Sequence, residues 1–167
     1  YSILLSKYSG NEDITTAMPV SGREGRFIDT VGMFVNTVAL RTKPDGNKTI
    51  TEFLNEVKEA SINAIDNQNY PINELIKRLD INISSQNPLT DIMFAYQSEE
   101  ATDIVFGDNK AEILPVRLAG VKCDLNFTIM PRENDAVLMV EFSTDLFKED
   151  TVNEFISAYK SILEAAI

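Results

Sequence analysis

The chain of 167 residues contains no histidine. That removes the usual general base and the commonest zinc ligand, so neither a Cys–His nor a Ser–His pair can be assembled within it. A single cysteine, Cys123, cannot form an internal disulfide, which points to a reducing compartment. No run of about 18 or more apolar residues is present and the amino terminus is not signal-like, so a soluble, cytoplasmic protein is expected. The seven glycines are scattered singly, and none forms a phosphate-cradling loop. Positive charge is the minority sign: 15 Lys and Arg against 26 Asp and Glu give a net charge of -11. Such a chain repels phosphate backbones and anionic lipid, which argues against nucleic acid and membrane as partners.

What is present suits one globular domain with a substantial core, since 44% of residues are hydrophobic. "YSILLSKYSG" reads as the last turns of a helix ended by Gly10, as though the chain were trimmed from something longer. "DITTAMPVSGR" reads as a strand over Ile14–Pro19 running into a turn at Ser21–Gly22. "VGMFVNTVALR" has the β-branched composition of a buried strand and carries one polar amide, Asn36. From Thr49 the period changes. Ile50, Phe53, Leu54, Val57, Ala60, Ala64 and Ile65 recur at steps of three and four, the pattern of an amphipathic helix.

Tyr70–Pro71 breaks that helix, and a second short one is expected from Pro71 to about Leu79. "PLTDIMFAYQ" reads as a strand, and two short edge strands are expected near Ile104–Phe106 and Ala111–Leu114. In "VKCDLNFTI", Val121, Cys123, Leu125, Phe127 and Ile129 alternate with polar residues. "PREND" turns the chain into "AVLMVEFS", a hairpin partner, and a final helix follows through Val152, Phe155, Ile156, Tyr159 and Leu163. The expected fold class is α/β in layers: a mixed sheet with helices packed on it. Cys123 sits on the apolar face of its strand, where a thiol is usually a small core residue. Asn36 leaves two readings open. Its amide bridges neighbouring backbone, or it faces a cavity and meets a ligand.

Several stretches together resemble the condensation domains of nonribosomal peptide synthetases. "VGMFVNTVALR" is similar to the family's Val/Ile-Gly-x-Phe-Val-Asn-Thr motif. "NQNYPINELIKRL" is similar to Asn-Gln-x-Tyr-Pro followed by Glu-Leu, carried by Asn67, Gln68, Tyr70, Pro71, Glu74 and Leu75. "PVSGR" resembles Pro-Val-Ala-Gly-Arg, and "NPLTDIMFAYQ" resembles the Asn-Pro-Leu segment, with Thr90 and Ile92 departing from it. "KCDLNFTI" is like Lys-Phe-Asp-Leu with Cys123 in the phenylalanine position, and "FSTDLFKEDTV" is like the Tyr-x-Thr-Asp-Leu-Phe ending. The motifs run in order from end to end.

The resemblance implies one chloramphenicol acetyltransferase-like lobe, residues 1–167 as a single unit, the second of two that form a V around a tunnel. The family's His-His-x-x-x-Asp-Gly motif belongs to the first lobe, so no catalytic residue is expected here and this piece alone is expected to be inactive. The implied activity of the whole is peptide-bond formation between carrier-bound thioesters. Its implied partners are the N-terminal lobe, donor and acceptor carrier domains with their phosphopantetheine arms, and an adjacent adenylation domain. The tunnel residues implied are Asn36, Ser21 and Arg23; for Arg23 a structural ion pair is the competing reading. The turn at Pro131–Asp135 lies where the family has its lobe-crossing latch. A lobe without its partner is expected to self-associate through its apolar face, and a dimer made that way need not be biological. A non-catalytic docking module of a split or degenerate synthetase is the alternative.

Overall fold

A computed structural model describes residues 1–23, 25–81, 89–97, 105–110 and 120–166. The elements in order are α1 (Ser2–Ser9), β1 (Ile14–Val20), a 3-10 turn (Gly25–Phe27), β2 (Asn36–Thr42), α2 (Ile50–Asp66) and α3 (Ile72–Arg78). There follow β3 (Ile92–Tyr96), β4 (Val105–Phe106), β5 (Asn109–Lys110), β6 (Leu125–Pro131), β7 (Ala136–Phe142) and α4 (Glu149–Ala166). Five strands form one mixed sheet in the order β2-β1-β3-β6-β7, and β4 and β5 form a separate two-stranded ribbon. The β1–β2 and β6–β7 pairs are antiparallel, while β3 lies parallel to both β1 and β6. The expected layered α/β class is what the chain adopts.

Register shows how alternation builds the core. Phe94 faces Phe127, Ile92 faces Leu125, and Phe127 in turn faces Val140, so these side chains share one face of the sheet. Helices α1 and α4 close that face. Leu4, Leu125, Phe127 and Tyr159 form its buried centre, with the Tyr1 ring 4.7 Å from Phe127 and Tyr159 meeting Phe127 edge-on at 5.6 Å. Each large side chain buried there contributes roughly 1.5–3 kcal/mol. Helix α2 packs against β2. It begins in a capping box: the Glu52 amide donates to Thr49 Oγ1 at 3.3 Å, and the Thr49 amide donates to Glu52 Oε2 at 2.8 Å.

Three expectations need correction. The strand read over Phe34–Arg41 ("FVNTVALR") runs instead over Asn36–Thr42, because β1 ends at Val20, Asn36's partner, and leaves Phe34 and Val35 nothing to pair with. Val31, Met33 and Val35 of the same apolar stretch stand exposed in a loop instead. Leu54 and Ile65 of α2 are exposed although they belong to its apolar period. Thr128, read on the polar face of its strand, is buried, as a residue of an interior strand can be on either face. Of the short strands expected mid-chain, Val105–Phe106 is present as β4, while Ile104 and Ala111–Leu114 lie outside the described residues. The hairpin turn after β6 is closed by the Arg132 amide donating to the Asp135 carbonyl at 2.7 Å. Among the described residues no helix is long and apolar enough to cross a membrane.

Candidate functional site

Three of the motif stretches, those of Arg23, Asn36 and Gln68, approach one another where the β1–β2 hairpin opens. Gly22 takes a left-handed backbone, φ 59°, and a Cβ there would sit 2.1 Å from the Phe34 carbonyl oxygen. Only glycine lets the two limbs of the loop approach so closely. Arg23 then reaches inward. Its Nη1 donates to the carbonyls of Phe27 at 2.7 Å and Thr30 at 2.5 Å, and its Nη2 donates to Gly32 at 3.1 Å. The guanidinium also lies over the Phe34 ring, 4.3 Å from its centroid, and Phe34 stacks on Phe27 at 5.5 Å. Among the described residues the partners of Arg23 are therefore carbonyls and a ring, and no carboxylate is among them.

Asn36 opens β2 on the face turned toward α2. Its Nδ2 donates to the Gln68 carbonyl, just past the end of α2, and its Oδ1 accepts from the Thr37 amide at 2.8 Å. Both ends of the amide are thus engaged by backbone. At the far end of the same strand, Arg41 grips Asp13 in a fork, Nε to Oδ1 at 2.7 Å and Nη2 to Oδ2 at 2.5 Å. That bond holds the Asp13 carboxyl below its usual range, through hydrogen bonding first and charge second.

Two hollows flank the segment that carries the Asn67–Pro71 motif. One, of about 370 Å³, is lined by Val20, Ser21, Arg23, Ile65, Gln68 and Asn69. Ser21 and Arg23 line it directly; Asn36 does not line it and is linked to it only by its bond to the Gln68 carbonyl. The other, of about 470 Å³, runs beside the edge strand β2, between Thr37–Ala39 and the side chains of Ala64, Tyr70, Ile72, Leu75 and Leu79. Gln68 enters through its backbone carbonyl, an atom with no signature in a sequence. Ile65 and Asn69 were not singled out as site residues either, and position in the second motif was the only signal available for Asn69.

The one thiol is placed to be inert. Cys123 is buried, and burial, followed by the charges of Glu141, Asp124 and Asp91, pushes its pKa up to about 11. Asp124 itself is raised by burial and by Asp91. Its backbone does the visible work: the Asp124 amide donates to the Asp91 carbonyl at 2.8 Å and its carbonyl accepts from the Ser143 amide at 2.9 Å. No cluster of three or more metal-ligating side chains occurs among the described residues.

The model of the Condensation domain family matches residues 1–167, and the chain belongs to that family. It is 39% identical over 168 residues to surfactin synthase subunit 2 of Bacillus subtilis, covering 99% of this chain and 5% of that protein. It is 38% identical over 171 residues to gramicidin S synthase 2 of Brevibacillus brevis, covering 100% of this chain and 4% of that protein. The chain therefore spans only a small part of the length of these relatives. Among solved structures, the condensation domain from the monacolin K polyketide synthase MokA superposes with a TM-score of 0.80 at 20% identity, covering 98% of this chain and 38% of that one. At that identity the likeness speaks for the fold.

Proposed function

We propose that this chain is the C-terminal lobe of a condensation domain that forms peptide bonds between carrier-bound aminoacyl and peptidyl thioesters. The observation that carries the reading is coverage: the family model spans every residue of the chain, yet the chain accounts for 38% of a solved condensation domain. One lobe of two fits that fraction. The lack of histidine fits it too, since the family's histidine motif would belong to the other lobe.

In the intact domain the acceptor's amine attacks the donor thioester carbonyl. A C–N bond forms, the C–S bond breaks, and the donor's phosphopantetheine leaves as a thiol that takes up the proton lost by the amine. Holding both thioesters in one tunnel makes the step effectively intramolecular, which can supply about 7–11 kcal/mol. This lobe's share is positioning: one tunnel wall and part of the surface for the donor and acceptor carrier domains. The hollow at Ser21 suits an amide-bearing arm, because polar residues, Ser21 and Asn69, line it beside apolar Val20 and Ile65. Ser21, Arg23 and Asn36 are the residues we assign to that wall. The N-terminal lobe completes the tunnel, and an adenylation domain is the expected neighbour along the chain.

The test is reconstitution. The parent domain, with both lobes and two loaded carrier domains, is assayed for dipeptidyl thioester by mass spectrometry. Product is expected from the two-lobed domain and none from this lobe alone. Filling the hollow with Ser21→Trp should lower the yield while the domain stays folded. Lobes that associate and bind a carrier yet make no product would instead support the docking-module reading.

A further inference from the structure

The loop between β1 and β2 stacks Phe27 on Phe34 yet leaves four other large apolar side chains outside. Ile28, Val31, Met33 and Val35 stand in water, at 69%, 100%, 88% and 59% exposure. Its inside holds a cation, Arg23, whose guanidinium gathers the carbonyls of Phe27, Thr30 and Gly32 and covers the Phe34 ring. An ordinary surface loop turns such apolar groups inward and leaves its carbonyls to water. Here a planar fork with five donors ties three successive stations of the loop together, a task a lysine ammonium cannot copy.

We propose that Arg23 is a positioning residue, acting through the loop between β1 and β2 to hold the entry to β2 at Asn36. This rests on the reading of the chain as one lobe of a condensation domain. The loop ends in Asn36, the first residue of β2, and Asn36 is bonded to the Gln68 carbonyl beside the hollow. A shift of the loop is therefore a shift of the wall. Three of the guanidinium's hydrogen bonds go to the loop's own backbone, so its part in the wall is to hold the loop in place.

The experiment uses the two-lobed parent domain with loaded carriers and compares wild type, Arg23→Lys and Arg23→Ala. Amide hydrogen exchange is read over residues 25–35 and, as a control, over β6 and α4. Arg23→Ala should speed exchange in the loop about tenfold or more, leave β6 and α4 protected, and lower kcat by about 10- to 100-fold, with KM for the carriers little changed. Arg23→Lys should resemble Arg23→Ala. Millimolar guanidinium, but not ammonium, should restore both loop protection and rate to the alanine variant. Unchanged loop exchange with a fallen rate would overturn the proposal in favour of direct substrate contact. Faster loop exchange with an unchanged rate, or faster exchange throughout the molecule, would overturn it as well. A wild-type domain that makes no product would instead overturn the functional reading, with exchange still deciding whether Arg23 clamps the loop.

Discussion

The side-chain amide of Asn36 donates to the backbone carbonyl of Gln68, 32 residues further along the chain. One bond thereby ties the first residue of β2 to the segment that leaves α2. The polar residue in an otherwise apolar stretch is explained by that carbonyl. Past the end of α2, Gln68 has left the helix, so its carbonyl finds its partner on the edge strand β2 rather than in a following turn.

Replacing Asn36 should accordingly cost stability before it costs anything else. Asn36→Ala leaves a part-buried carbonyl without its donor, a loss of about 1 kcal/mol or somewhat more. Asn36→Asp should cost more, since a carboxylate oxygen then faces the Gln68 carbonyl. Urea unfolding of the two variants against wild type checks both the size and the order.

The start of α2 gives a prediction with a pH signature. Thr49→Ala removes the cap and should cost about 1 kcal/mol. Glu52 is held below its usual pKa by the Thr49 amide first and the Thr49 hydroxyl second. A lowered pKa in the fold means that the carboxylate's contribution is present above its ordinary value of 4.5 and is lost as pH falls through the folded value. Glu52→Gln should therefore lower the melting temperature at pH ~7 and have little effect at pH ~2. An effect that persisted unchanged in acid would mean that charge plays no part in the cap.

Cys123 should behave as a core residue. With its pKa raised to about 11, the native thiol stays protonated at neutral pH and should resist iodoacetamide until the protein is unfolded in urea. The same shift has a sign in stability. A raised folded pKa gives a contribution that is complete below the ordinary value of 9.0 and is lost as pH rises through about 11. Cys123→Ala should flatten that part of the alkaline stability profile, read from thermal melts across the range. Rapid labelling of the folded protein at neutral pH would refute the assignment.

Much of this was legible from spacing. The alternation of Cys123, Leu125 and Phe127 and the three-and-four period after Thr49 are local patterns, and local patterns survive in a sequence. The start of β2 was not legible, because it depends on where β1 runs out of partners rather than on the composition of Val31–Val35. At the site, Ser21, Arg23 and Asn36 could be named from motifs; Ser21 and Arg23 line one hollow, and Asn36 is linked to it only by its bond to the Gln68 carbonyl. What each one touches could not be read. Arg23 has three carbonyls for partners and Asn36 has another, and a carbonyl belongs to every residue alike. The Thr49-x-x-Glu52 box is the reverse case, a signature plainly written and explained by geometry.

Gly22 and Gly10 make a matched pair for testing how the β1–β2 loop is held. Both have a left-handed backbone, φ 59° and 71°, but a Cβ at Gly10 meets nothing within 4 Å, while one at Gly22 meets the Phe34 carbonyl at 2.1 Å. Gly10→Ala should therefore cost only the conformational term, about 1–2 kcal/mol. Gly22→Ala adds an overlap with backbone that no side-chain rotation relieves, and about 2–5 kcal/mol in all is expected. The overlap is relieved only by moving Phe34, the residue whose ring lies under Arg23. Gly22→Ala and Arg23→Ala thus release the same limb of the loop, and whichever comes first should take part of the cost of the second. A double-mutant cycle by urea unfolding should show this as a coupling of about 0.5–3 kcal/mol. Strict additivity would mean that the loop is fastened at independent points, with Arg23 only one of them.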